Sequence, residues 1–69
     1  MSNNVYSITE IVGSSTTSVE DAIKTAIAKT SESKRNLDWF EVVGVRGHVE
    51  GGAVAHYQVT LKVGFKLDD

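Results

Sequence analysis

The stretch LDWFEVVGVRGHVEGGAVAHYQVTLKVGFKL, residues 37–67, decides the fold. In its second half Ala53, Ala55, Tyr57, Val59, Leu61, Val63, Phe65 and Leu67 are apolar. His56, Gln58, Thr60, Lys62, Gly64 and Lys66 between them are polar or small, with Val54 the exception. Strict alternation of this length marks a half-buried strand of an antiparallel sheet, with the odd positions as its core face. The first half, Leu37 to Glu50, is rich in valine and aromatics. Gly51-Gly52 separates the halves as a two-residue hairpin turn does.

With the two glycines at the centre of the turn, Glu50 faces Ala53, Glu41 faces Lys62 as a favourable cross-strand charge pair, and Phe40 faces Val63. Phe40 and Val42 then point toward the core. Trp39, the only tryptophan, points the other way with Leu37, Glu41, Val43 and Val45. It faces Gly64, which leaves open space beside the ring. An apolar patch of this kind on a second face marks either subunit packing or a ligand laid against the indole. Gln58 faces Val45 in this register, six residues along the strand from Gly64, or about 20 Å. If Trp39 and Gln58 act on one small ligand, they come from different subunits.

Upstream, VYSITEIV (residues 5–12) reads as a first strand, closed by Gly13 and the loop Ser14-Ser15-Thr16. From Thr17 to Arg35 the apolar residues Val19, Ala22, Ile23, Ala26 and Ile27 repeat with helical spacing. Thr17 with Glu20, or Ser18 with Asp21, can form a capping box. Lys34 and Arg35 at the far end complement the helix dipole. The expected fold is α+β: a single β-α-β-β domain over residues 1–69, one helix laid across a three-stranded antiparallel sheet. A hairpin strand of about 14 residues extends roughly 46 Å, whereas a helix of about 18 residues covers about 27 Å. The hairpin tip, with Arg46, His48 and Glu50, should overhang its helix as an arm for a neighbour, bent or bulged near Gly44 and Gly47.

A chain of 69 residues buries only about 60% of the surface its unfolded form exposes. It has no cysteine, so disulfides and thiolate sites are excluded, and self-association is the expected source of added stability. A formal charge of −2 with seven scattered Lys and Arg argues against nucleic acid as partner. No run of about 18 apolar residues predicts a membrane span, and Met1 to Asn4 lacks signal-peptide character, so the expected location is cytoplasmic.

The candidates for chemistry point to binding. His48 and His56 fall on opposite faces in this register and form neither a metal pair nor an acid/base pair within one chain. Asp38, Glu10 and Glu41 make no convincing carboxylate pair, no Ser-His-Asp set is legible, and the GxxG from Gly44 to Gly47 is too weak a phosphate motif to use. No catalytic residue is therefore expected. Arg46 suits phosphate or carboxylate, or an ion pair between subunits with Glu50 or a terminal aspartate.

Almost the whole chain, from VYSITEIVGSS through SVEDAI to LDWFEVVGVRGHVEGG and YQVTLKVGFKL, resembles the dodecins, small flavin-binding proteins of bacteria and archaea. The resemblance implies a protomer assembled as a hollow homododecamer that binds pairs of flavins at subunit interfaces. Each isoalloxazine would lie against a tryptophan, Trp39 of DWFE, and be hydrogen-bonded by a glutamine, Gln58 of YQV. The implied ligand is riboflavin or its phosphate, FMN. Arg46 of VRG, with Lys66 as a further candidate, would contact the phosphate or a polar edge. The implied role is storage and photoprotection without turnover. Some members also bind coenzyme A on the outer surface through basic residues, for which only Lys29, Lys34 and Arg35 could serve here. The chain departs from many relatives in having Ser7 where they carry a basic residue, and His48 at a variable position.

Overall fold

The computed structural model describes residues 3–67. Asp68 and Asp69, the terminal aspartates considered for Arg46, lie outside the described residues, as do Met1 and Ser2. The elements are β1 (Tyr6–Ser15), α1 (Val19–Ser31), β2 (Leu37–Glu50) and β3 (Ala53–Lys66). They form the β-α-β-β order read from the sequence, in one antiparallel sheet with spatial order β1-β3-β2. Strand β3 lies between the other two and runs antiparallel to both. Gly51 and Gly52 turn the hairpin with φ of 58° and 79°, the left-handed pair that a two-residue mirror-image turn requires.

Strand β1 runs through Gly13 to Ser15, three residues past its expected end at Val12. Ser15, buried at 8% exposure, is the reason the chain stays ordered there. Its hydroxyl donates to Asp21 Oδ2 at 2.7 Å and accepts from the backbone N–H of Thr17 at 2.9 Å and of Ser18 at 3.3 Å. Ser18 caps the helix by accepting from the Asp21 N–H at 3.0 Å. Of the two capping pairs in the sequence, Ser18 with Asp21 is the one used, with the return contact of the Asp21 carboxylate made to Ser15. The helix ends at Ser31 rather than Arg35. The N–H groups of Glu32 and Lys34 close back onto Lys29 and Thr30, and Asn36 turns the chain into β2 at a φ of 60°. Lys29 occupies the last turn; Lys34 lies beyond it, its Nζ 5.5 Å from the centre of the Phe65 ring.

The core is Val59, Leu61 and Val63 of β3, all fully buried, under Ala22 and Ala26 of α1. Each large side chain buried this way contributes roughly 1.5–3 kcal/mol. The helix packs close because Gly13 lies beneath it: a Cβ there would run into the Ala22 carbonyl oxygen and come within 2.8 Å of the Ala26 Cβ. Thirteen helical residues span only about 20 Å, in a molecule 57 Å along its longest axis. The hairpin therefore overhangs, as expected.

Two expectations change. Phe40 is paired with Val63 on the helix side of the sheet, yet it remains 49% exposed, and Val42 beside it 42%. Neither is core in a single chain, because α1 lies over β1 and β3 and β2 occupies the far edge. Apart from Leu37, β2 is exposed along its whole length.

The second change concerns register. Trp39–Gly64, Phe40–Val63, Glu41–Lys62 and Glu50–Ala53 pair as read from the sequence, but three irregularities interrupt the ladder, at Leu37/Trp39, Val42/Gly44 and His48/Val49. Val43 is an extra residue on β2, so from Gly44 to His48 the pairing is stepped by one: Val45 faces Val59, Arg46 faces Gln58 and His48 faces His56, until Ala55, an extra residue on β3, restores it. A one-residue step turns each side chain to the opposite face. Val45 thus moves to the helix side. Leu37, paired with Phe65, packs against the core rather than standing beside Trp39. Among the described residues no helix is long and apolar enough to cross a membrane.

Ser15→Ala would leave two backbone N–H groups and the Asp21 carboxylate without their shared partner. The expected loss is about 1–2 kcal/mol of unfolding free energy, read from urea denaturation at fixed protein concentration; an unchanged midpoint would remove Ser15 from this account.

Candidate functional site

The face of the sheet away from α1 carries all the sequence-derived site residues. On β3 the even positions face this way, and their partners follow: Tyr6 with Lys66, Trp39 with Gly64, Arg46 with Gln58, and His48 with His56. The bulge at Val43 brings Arg46 onto this face. Without it Arg46 would point to the helix side while Gln58 did not.

Trp39 lies at one end. Its indole crosses over β3 above Gly64, with Cε2, Cζ2 and Cη2 where a Cβ on residue 64 would stand. The open space expected beside the ring is thus filled by the ring itself. Tyr6 meets it from β1, with centroids 5.0 Å apart and planes at 64°, a favourable T-shaped geometry. The indole is 41% exposed. Its benzo half covers Gly64, and part of the ring stays open to solvent.

Gln58 stands six residues along β3 from Gly64, about 20 Å away. Its Oε1 accepts from Arg46 Nε at 3.0 Å. Because a guanidinium N–H only donates, this bond fixes which way the carboxamide faces. The amide NH2 and the second lone pair on Oε1 remain for a ligand edge that alternates acceptor and donor. Within one chain Arg46 is thus engaged with Gln58, while Glu50 lies 3.4 Å from His48 Nε2.

His48 and His56, expected on opposite faces, are directly opposed and stacked, with centroids 5.4 Å apart and planes at 17°. The step at Val43 is the cause. Among the described residues no three His, Cys, Asp or Glu side chains converge as metal ligands. Lys66 lies two residues beyond Gly64 on β3, opposite Tyr6. It also borders a cleft of about 220 Å³ with Lys34, Arg35 and Phe65. A smaller cavity of about 130 Å³ lies beneath Trp39 and Phe40, against Ile27 and Val63.

Tyr6 and the flooring role of Gly64 were not legible in the sequence. The Tyr6 contact depends on the β1–β3 register, which no turn in the chain announces, and Gly64, though paired with Trp39 by the hairpin register, has no side chain to mark its part.

The dodecin family model matches residues 5–68. The chain is 45% identical over 65 residues to Dodecin of Thermus thermophilus, covering 94% of each chain. It superposes on the solved dodecin from Streptomyces davaonensis with a TM-score of 0.95 at 53% identity, covering 99% of this chain and 100% of the other. A more distant solved structure, the calcium dodecin of Mycobacterium tuberculosis, described as having a novel calcium-binding site, matches at 28% identity with a TM-score of 0.81, covering 93% and 91%. Chain-long matches in both sequence and fold lead to one conclusion: this protein belongs to the dodecin family.

Proposed function

We propose that the protein is a flavin-binding storage protein, in which a hollow dodecamer of identical chains holds FMN or riboflavin at subunit interfaces. The observation that carries the reading is the half-exposed indole of Trp39, seated over Gly64 on the same face of the sheet as a carboxamide held in one orientation by Arg46. A flat aromatic ligand fits the first. The hydrogen-bonding edge of an isoalloxazine fits the second.

At about 20 Å apart, Trp39 and Gln58 of one chain cannot share a ring system, so each site draws on more than one chain. The uncovered β2 supports the same reading. Phe40, Val42, Val45 and Val49 are all exposed, and a chain of this size gains the burial it lacks by association. That exposure also favours a second reading, an oligomeric scaffold in which Trp39 is only a subunit contact.

In the flavin reading, Trp39 supplies stacking worth about 0.5–1.5 kcal/mol beyond area burial. Gln58 selects the ring edge, and Arg46 and Lys66 favour a phosphorylated tail. The bound flavin supplies light absorption and redox capacity, and contact with the indole quenches its excited state. Storage and photoprotection follow, with binding rather than turnover as the activity and the cytoplasm as the location. Coenzyme A is a further proposed ligand of the outer surface. The cleft bordered by Lys34, Arg35 and Lys66 favours it, whereas Lys29 is engaged with Glu32 at 3.5 Å.

Trp39→Ala should weaken flavin binding by at least about tenfold in a fluorescence-quenching titration while light scattering reports an unchanged mass. In the scaffold reading the same variant dissociates and added flavin keeps its fluorescence. Arg46→Ala separates two roles: equal loss for riboflavin and FMN marks an orienting residue acting through Gln58, and a loss confined to FMN marks a phosphate contact.

A further inference from the structure

We infer that Gly64 is a positioning residue for Trp39, leaving bare the strip of backbone on which the indole lies and so setting the plane and depth of the stacking face. The inference rests on the flavin reading above and adds what determines how the ring is presented. Glycine weakens the interior of a strand, and at this position no backbone need explains it. Among the described residues the positive-φ glycines are Gly51 and Gly52 alone. The requirement at residue 64 is space.

That space is taken by one side chain. The three nearest atoms to a Cβ built on Gly64 are Cε2, Cζ2 and Cη2 of Trp39, all in the benzo half of the indole. Gly64 is buried although it sits on the face away from the helix, covered by that ring. Tyr6 meets the ring from β1, with centroids 5.0 Å apart in a T-shaped geometry. Floor and flank together hold the indole over β3 with part of the ring open to solvent. An added methyl at 64 would lift and tilt the ring away from Tyr6. A planar heterocycle would then meet a sloped surface, losing the broad overlap that offset stacking requires.

The test uses the full assembled protein with riboflavin, which carries no phosphate. As the only tryptophan, Trp39 reports its own exposure through acrylamide quenching before any ligand is added. In Gly64→Ala, at wild-type mass by light scattering, quenching of Trp39 should rise and riboflavin affinity should fall about two- to tenfold, the size of a lost stacking term. Wild-type values for both quantities would overturn the inference. If wild-type protein binds no riboflavin, the flavin reading fails by itself, and the acrylamide measurement still decides whether Gly64 floors the ring. Should Gly64→Ala not assemble, Tyr6→Leu, which keeps the floor and removes the flank, should show the same rise in quenching with a smaller loss of affinity. Unchanged quenching and affinity there would equally overturn it.

Discussion

The whole arrangement depends on the contact between two alanines and three residues of the central strand. Ala22 and Ala26 present a nearly flat helix surface, and Gly13 lets it approach the sheet closely enough to seal Val59, Leu61 and Val63. That contact centres α1 on β1 and β3, and a helix of 13 residues has nothing left with which to cover β2. Close packing at one place thus creates exposure at another. The apolar residues of β2 on the helix side, Phe40 and Val42, satisfy the strand pattern without satisfying burial. Their covering has to come from outside the chain.

The sequence made the elements, their order, the hairpin turn and the core face of β3 legible, because each rests on a local pattern: alternation, helical spacing or paired glycines. It failed where geometry accumulates along a ladder. The tip pairings and those around Phe40 follow from counting back from Gly51-Gly52. The pairings between them do not, because Ala55 and Val43 are extra residues on opposite strands, so that one step undoes the other. Agreement at both ends concealed a displaced middle. The histidine pair and the Arg46–Gln58 bond both lie in that middle.

Trp39 was legible as a residue looking away from the core, since its parity at the base of the hairpin is undisturbed. Its support was not. Tyr6 reaches it from β1 across the intervening β3, and a glycine is silent in hydropathy. The dodecin resemblance gave Trp39 and Gln58 their expected partner, but the bond that orients Gln58 emerged only from the corrected register.

The same bulges bear on a hazard of the lone chain. An edge strand of 14 residues, exposed on both faces, is a template for open-ended strand addition between copies. Flat, regular edges propagate into fibres, whereas bulged ones twist and interrupt the repeat. Asp38 and Val43, the extra residues on β2, break the edge at two points within its first half. The irregularity that organises one face of the sheet therefore also protects a newly made chain against linear aggregation, and favours closed association over polymer growth.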